Sequence, residues 1–237
     1  MIALDLFCGA GGVSMGLHRA GFKVVGVDIR KQKNYPFAFV QANALRPPFD
    51  LARFDFVWAS PPCQAHTALR KMWNSKPHAD LIPKTRELLL AAGVPFVMEN
   101  VPGAPMENPF MLCGSMFGLS TPCGADLRRH RYFDSNIQFF LTPRCSHGRR
   151  AIGVYGGHVR DQCRTITVTG NTPQMNVERN RVRETFTVDD ARAAMGIEWM
   201  NMSELSQAIP PAYSEFIGRA GRSQERRIGN ERRIGWR

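Results

Sequence analysis

The stretch "IALDLFCGAGG" (residues 2–12) decides the predicted fold, because a short apolar run passes directly into a glycine-rich turn. The next segment, "VSMGLHRAG" (13–21), has the apolar spacing of a helix. A strand, a tight turn and a helix in this order indicate the first unit of an α/β protein. Gly9, Gly11 and Gly12 allow the backbone of this turn to approach a ligand closely.

Three more apolar runs predict three more strands: "KVVGVD" (23–28), "FDFVWAS" (54–60) and "VPFVMEN" (94–100). Helical segments such as Lys84–Ala92 lie between them, and this alternation predicts a parallel sheet with helices on both faces. The carboxyl ends of parallel strands share one edge, where ligands bind. Besides the glycine turn, that edge would carry Asp28, Cys63 and Glu99.

Composition sets limits on the class of protein. With 237 residues, 43% of them hydrophobic, the chain can form one α/β domain and a small lobe. No apolar run approaches the roughly 18–20 residues of a membrane span. The N-terminus lacks the basic region and cleavage site of a signal peptide. The six scattered cysteines predict free thiols. We expect a cytoplasmic protein.

The net charge of +11 favours a polyanionic partner, most often nucleic acid. A basic surface that serves only solubility is the alternative. Part of the charge lies in residues 219–237, where "ERRIG" occurs at 225–229 and again at 231–235. We expect this basic tail to be mobile in the free protein. It either binds phosphates or is a terminal extension without a function.

The glycine turn is not a dinucleotide fingerprint, because Ser14 stands where the third glycine would fall. Asp28, about twenty residues further on, ends the second strand, and a carboxylate there can bind two ribose hydroxyls. Capping of the next turn is the alternative role for Asp28. Together the turn and Asp28 favour a ligand that contains adenosine.

An ordered series of motifs follows this beginning: "DLFCGAGG" (5–12), "GVDI" (26–29), "SPPCQ" (60–64), "MENV" (98–101), "RRHRYF" (128–133), "TVDDARAAMG" (187–196) and "LSQAIPPAYSEFIG" (205–218). In these motifs the chain resembles the DNA cytosine-5 methyltransferase family over nearly its whole length. The resemblance implies a class I S-adenosylmethionine-dependent methyltransferase fold, with a mixed sheet, helices on both faces and a small β-rich lobe. It implies S-adenosylmethionine as cofactor, S-adenosylhomocysteine as product, and a monomer that acts on duplex DNA.

The resemblance also assigns roles to residues. Cys63 would be the nucleophile and Glu99 the acid, Arg131 would contact a flipped cytosine, and Arg129 would support the site. Phe7 would contact adenine, and Asn43 stands where an aspartate usually accepts a hydrogen bond from the adenine amino group. The full cofactor-binding set would be Asp5, Phe7, Cys8, Gly9, Ala10, Gly11, Gly12, Asp28, Ile29, Asn43 and Pro61.

The chemistry of cytosine accounts for these residue types. Carbon 5 is a poor nucleophile until a thiolate adds to carbon 6, and the resulting enamine can accept a methyl group. An acid at ring N3, its pKa raised by burial, would offset the charge that develops. A structural cysteine in a Pro-Pro turn is the alternative for Cys63. That alternative leaves Glu99 and the glycine turn without an explanation.

The target atom is inaccessible in a duplex, so the base must be flipped out. The stretch after Cys63, residues 64–83, is long enough to be a working loop, and we expect it to close over DNA. The candidate nucleic-acid contacts in this loop are Gln64, Arg70 and Lys71. Those in the small β-rich lobe are Gly156, Gly157, Arg160 and Arg164.

The predicted division is a catalytic domain (1–133), a small target-recognition lobe (134–186), a segment that returns to the catalytic domain (187–218) and the basic tail (219–237). "AIGVYGGHV" (151–159) and "CRTITVTGN" (163–171) predict β structure in the lobe. Cys145, His147 and Cys163 lack the spacing of a zinc site and an evident fourth ligand, so no metal is expected.

Two other classes of function stay open. One is the same chemistry on RNA, since tRNA cytosine methyltransferases share these motifs. The other is a catalytically inactive relative that binds DNA or protein partners, although the presence of Cys63 and Glu99 argues against it.

Overall fold

The computed structural model describes residues 1–66, 78–137, 142–147, 151–155, 158–161 and 186–234, with side chains except at 155, 158–161 and 224–234. The strands are β1 (Ile2–Leu6), β2 (Lys23–Asp28), β3 (Ala38–Gln41), β4 (Phe56–Ala59), β5 (Phe96–Asn100), β6 (Phe110–Leu112), β7 (Asp126–Leu127), β8 (Arg131–Ser135), β9 (Ala151–Tyr155) and β10 (His158–Asp161). The α-helices are α1 (Gly12–Arg19), α2 (Ile82–Ala92), α3 (Val188–Met195), α4 (Met202–Gln207) and α5 (Pro211–Ile234).

A seven-stranded mixed sheet carries the fold, in the order β3-β2-β1-β4-β5-β8-β6. The first five strands of this order are parallel, and β8 is antiparallel to both β5 and β6. The predicted α/β fold is confirmed. Strand β3 escaped sequence analysis because it lies at the sheet edge and has no fully buried residue to mark it.

Side chains alternate between two apolar layers along each strand. In β1, Ala3 joins the layer of α1 and α5, whereas Leu4 joins the opposite layer with α2. The same alternation places Asp5 and Glu99 on the α1/α5 side. Because the partner pairs Leu6↔Ala59 and Ala59↔Met98 are in register, the carboxyl ends of β1, β4 and β5 lie next to each other.

Helix α5 packs directly against α1. Ser214 Oγ donates a hydrogen bond to the Val13 carbonyl oxygen at 2.9 Å. A Cβ atom at Gly16 would collide with Ser214 Oγ and the Pro211 carbonyl, so this glycine allows the two helices to approach closely. Residues 219–234, expected to be a mobile tail, instead continue α5.

A second sheet, in the order β10-β9-β7, forms the small lobe. Its apolar core combines Leu127, Ile152 and Val154 with residues of α3 and α4. The lobe therefore includes a strand from before the predicted boundary at residue 133 and helices from after residue 186. The predicted strand at 163–171 lies outside the described residues, and the division into domains remains a prediction. In the described part of the chain, no helix is both long and apolar enough to span a bilayer.

Candidate active site

The glycine turn begins where β1 ends. Phe7 has a φ of 60°, which is unusual for a non-glycine residue, and Gly9 and Gly11 also have positive φ. Holding a non-glycine residue in this left-handed region of backbone conformation costs about 1–3 kcal/mol. Such residues are found most often at functional sites. The turn is fixed by hydrogen bonds from the Cys8 amide to the Val27 carbonyl and from the Gly11 amide to the Cys8 carbonyl, both 3.1 Å.

Asp28 lies against this turn, as its position in the sequence predicted. One carboxylate oxygen accepts a hydrogen bond from the Gly9 amide at 3.1 Å, and the other from the Arg30 amide at 2.9 Å. The neighbouring Ile29 is 66% exposed, an unusual position for a large apolar side chain. An oriented carboxylate beside an exposed apolar group suits the ribose and base of an adenosine.

A buried polar chain links Asp5 to Tyr35. Ser14 Oγ donates to Asp5 at 2.5 Å and lies 2.7 Å from the Tyr35 hydroxyl. The Tyr35 ring passes over Gly11 and Gly26, where a Cβ atom would meet it. Sequence analysis missed Tyr35, because its approach to the turn depends on how the segment between β2 and β3 folds back.

The side chain of Asp5 indicates whether the site fits the predicted cofactor. Its Oδ1 atom is buried, and among the described residues it has no hydrogen-bond partner. Such an oxygen beside a glycine turn suits a ligand with a positive charge or an N–H donor. S-adenosylmethionine has both, so the residues present fit it.

Asp5 also makes stability dependent on pH. Burial raises its pKa to about 7 against the opposing hydrogen bond from Ser14, and the charge of Asp28 adds to the increase. The protonated carboxyl stabilises the fold at low pH, and this contribution is lost as the pH rises through about 7. Between about pH 5 and pH 8, urea unfolding should show the wild type losing about 3 kcal/mol relative to Asp5→Asn. Equal pH dependence in both proteins would contradict this.

Asn43 lies two residues beyond the end of β3. Its side-chain oxygen accepts a hydrogen bond from the Leu45 amide at 3.0 Å, which fixes the amide in an Asx turn. Asn43 also lines an open groove of about 610 Å³ with Arg46, Lys84 and Leu88. Cys63 is not in the lining of this groove. Contact between Asn43 and adenine remains a prediction.

Cys63 lies in the loop beyond β4, partly exposed, and its carbonyl accepts a hydrogen bond from the His66 amide at 2.9 Å. Asn100 fixes this loop from the next strand, because its amide nitrogen donates to the buried Pro61 carbonyl at 3.0 Å. Sequence analysis included Asn100 in a motif but gave it no role. The only signal was its position next to Glu99.

Glu99 is buried beside Cys63, with 5% of its surface exposed. Its Oε1 lies 3.2 Å from Arg131 Nε, and Ser60 also hydrogen-bonds to it. Arg131 is held in place by its own hydrogen bond to the His130 carbonyl at 2.7 Å. The structure thus brings together the predicted acid and the arginine.

Burial and the neighbouring arginines have opposite effects on the pKa values of Glu99 and Cys63. Burial raises the pKa of Glu99 although Arg131, Ser60 and Arg129 lower it. Burial and then the charge of Glu99 raise the pKa of Cys63, and Arg131 opposes them. Protonation of Glu99 would therefore remove the negative charge that disfavours the Cys63 thiolate.

Arg129 is fully buried and connects the two lobes. Its guanidinium donates to the Val154 carbonyl at 2.6 Å and to the Ser206 carbonyl at 2.8 Å. Its own carbonyl accepts a hydrogen bond from the Tyr213 hydroxyl at 2.7 Å. These contacts are compatible with the supporting role predicted for Arg129.

Among the predicted nucleic-acid contacts, Gln64 is exposed beside Cys63. His66 Nε2 lies 2.9 Å from Asp80 Oδ1, so two residues flanking segment 67–77 are close together. Arg160 lies in β10, where only the backbone is described. The remaining predicted contacts lie outside the described residues: Arg70, Lys71, Gly156, Gly157 and Arg164.

Comparison with known proteins gives a family and a fold. Residues 1–108 match the sequence profile of the C-5 cytosine-specific DNA methylases. The structure is similar to that of the S. pombe Dnmt2 methyltransferase, with a TM-score of 0.53 and 13% identity over 92% of this chain and 97% of that one. It also matches a Burkholderia thailandensis 1,6-didemethyltoxoflavin-N1-methyltransferase, with a TM-score of 0.32, 15% identity and coverage of 56% and 53%. A search of curated protein sequences finds no significant match.

These findings confirm three predictions. The likeness to the S. pombe enzyme confirms the class I methyltransferase fold. The matched residues include the glycine turn, Asp28, Cys63 and Glu99, so the predicted family resemblance is confirmed for that part of the chain. The cofactor prediction is confirmed with it, since C-5 cytosine methylases use S-adenosylmethionine.

Proposed function

We propose that this chain, whose residues 1–108 carry a C-5 cytosine-specific DNA methylase domain, methylates carbon 5 of cytosine in duplex DNA. The observation that carries the proposal is the group of Cys63, Glu99 and Arg131. A thiol beyond the end of β4 lies beside a buried carboxyl in β5, and an arginine nitrogen is 3.2 Å from that carboxyl. A nucleophile, an acid and a fixed positive charge are the groups that attack on a cytosine ring requires.

The residues divide the reaction between them. The Cys63 thiolate forms a bond to carbon 6 of the ring, while protonated Glu99 donates to N3 and Arg131 holds the base. Bound S-adenosylmethionine would supply an electrophilic methyl group to carbon 5, with cleavage of its S–CH₃ bond and release of S-adenosylhomocysteine. A base then removes the carbon 5 proton, the bond between carbon 6 and sulfur breaks, Cys63 leaves as a thiolate, and N3 returns its proton to Glu99. Asp28 and the glycine turn hold the adenosine, and Asp5 offers its buried oxygen to the cationic end of the cofactor.

Access to the ring requires a flipped base. Unstacking and unpairing cost a few kcal/mol, which contacts to the displaced strand must offset. Residues 67–77, which follow Cys63 in sequence, contain Arg70 and Lys71 and are the candidates for these contacts. The net charge of +11 provides attraction to phosphates along the duplex.

Labelled substrates test the proposal directly. Unmethylated duplex DNA and a tRNA transcript are each incubated with radiolabelled S-adenosylmethionine, and DNA containing 5-fluorocytosine is used to trap the covalent adduct. We expect label and adduct on DNA. Label on tRNA alone would favour the RNA alternative, and binding without either product would favour the inactive relative.

The small lobe limits how many base pairs can be read. Direct readout needs several side chains on base edges, each bidentate contact giving about 1–3 kcal/mol of discrimination. Phosphate contacts add affinity but no sequence information. We therefore expect a short or relaxed site, such as GpC or CpG, and binding that weakens steeply with salt. Base-resolution sequencing of a long mixed substrate measures this, and a strict site of four or more base pairs would contradict it.

A further inference from the structure

Two cysteines and two histidines converge at the junction of the main sheet and the small lobe. They are Cys113, His130, Cys145 and His147, and their ligand atoms all lie within 4.8 Å of one another. Sequence analysis considered Cys145 and His147 together with Cys163, and found neither the spacing of a zinc site nor a fourth ligand. The structure supplies both partners, Cys113 and His130, from the main sheet.

Strand pairing explains why the partners meet. Strands β6 and β8 are antiparallel, with Leu112 opposite Arg131. The next residue after Leu112 and the residue before Arg131 therefore also face each other, and these are Cys113 and His130. The segment 142–147 then passes over this pair and adds its own cysteine and histidine.

The distances suit a tetrahedral metal ion. Cys113 Sγ lies 3.4 Å from His147 Nε2, and His130 Nε2 lies 3.5 Å from Cys145 Sγ. A zinc ion with bonds of about 2.3 Å to sulfur and about 2.0–2.1 Å to nitrogen separates two such ligands by about 3.5 Å. The third distance, from Cys145 Sγ to His147 Nε2, is shorter at 2.8 Å, and it would lengthen slightly when both atoms bind an ion.

A second layer of contacts supports these four side chains. Ser115 Oγ lies 3.6 Å from both sulfur atoms and can donate to a thiolate. Arg128 donates to the His147 carbonyl at 2.7 Å, which fixes the backbone of the outer segment. Cys113 is buried, whereas His147 is exposed and leaves a path for an ion to enter.

A divalent cation would offset the charge of two cysteine ligands. Its positive charge would stabilise the Cys113 and Cys145 thiolates at once.

We propose that Cys113, His130, Cys145 and His147 bind one structural Zn²⁺ ion. Four protein ligands of this type fill the tetrahedral shell, so the ion has no open position for catalysis. Its role is to fasten segment 142–147, which leads into β9, to the sheet that carries Arg131. The lobe is thereby held in a fixed position relative to the active site.

Metal analysis of the full-length protein, purified without chelators, tests the proposal. We expect one zinc ion per chain by mass spectrometry of the metal content. Cys145→Ser and His147→Ala should each lose it. The matched control is Cys123→Ser, which removes an exposed cysteine outside the cluster and should keep the ion. His147→Ala changes an exposed side chain, so circular dichroism should show that it still folds.

Cobalt and a conservative variant make the test specific. Apoprotein titrated with Co²⁺ should give the visible absorption of a tetrahedral site with thiolate ligands, absent in Cys145→Ser. Ser115→Ala should weaken zinc binding by about tenfold or more, the usual effect of losing a supporting contact. Absence of zinc in the wild type after Zn²⁺ addition would overturn the proposal. So would a Cys113–Cys145 disulfide found by peptide mapping, or equal zinc content in Cys145→Ser and Cys123→Ser.

Discussion

Replacing Cys63 with alanine is expected to reduce methyl transfer by at least about 10⁴-fold, the scale on which enzymes lose activity without their nucleophile. Without the sulfur, carbon 6 of cytosine has no group to add to it, and carbon 5 never gains the electron density to accept a methyl group. The loss should appear in single-turnover assays with labelled S-adenosylmethionine, and the trapped adduct on 5-fluorocytosine DNA should disappear.

Binding measurements separate this chemical role from a structural one. Cys63 makes no described contact with Asp28 or the glycine turn, so S-adenosylhomocysteine should bind the Cys63→Ala protein with nearly unchanged affinity by calorimetry. Cys123→Ala, which removes an exposed thiol elsewhere, serves as control and should keep full activity. Turnover that survived in Cys63→Ala would remove Cys63 as the nucleophile.

Glu99→Gln should slow the attack step by about 10²–10⁴-fold, the range for losing general acid catalysis. The amide keeps the size of the side chain and an oxygen for Arg131, but it cannot deliver a proton to N3. Because the pKa of Glu99 is raised, kcat of the wild type should fall as the pH rises through that pKa. The Glu99→Gln protein should lack this limb of the profile.

A surface glutamate provides the matched control. Glu107 pairs with Arg86 at 2.7 Å and is largely exposed. Glu107→Gln therefore removes the same charge with a smaller loss of stability. It should retain wild-type turnover and the wild-type pH profile. Equal rates for Glu99→Gln and the wild type would show that another group protonates the ring.

Local patterns in the sequence were enough to locate the strand ends. Asp28, Cys63 and Glu99 each lie at or just beyond the end of a short apolar run. Parallel strands bring such ends to one edge of the sheet, and this does not depend on how the rest of the chain folds. Asn100 and Tyr35 could not be predicted in the same way. Their roles depend on hydrogen bonds to groups of other elements, at 3.0 Å to the Pro61 carbonyl and 2.7 Å to Ser14 Oγ.

The cluster of Cys113, His130, Cys145 and His147 shows the same limit more clearly. Cys113 and His147 are 34 residues apart, and nothing near either one indicates the other. The antiparallel pairing of β6 with β8 places Cys113 beside His130, and segment 142–147 then brings His147 to that pair, which spacing alone does not reveal. The helical course of residues 219–234 was missed because their composition is that of a solvated tail. The apolar contacts of Tyr213 and Ile217, earlier in the same helix, give α5 an anchored start.

The packing of the last helix on the first has a consequence for how the protein is made. The hydrogen bond from Ser214 to Val13 joins residues 201 apart in sequence. At about 5–20 residues per second, a ribosome needs about 10–40 s to synthesise that interval. During this time α1 lacks its packing against α5, and Arg129 lacks its Tyr213 contact. In a nascent chain, α1 therefore cannot reach its final packing until residue 214 has been synthesised and released from the ribosome.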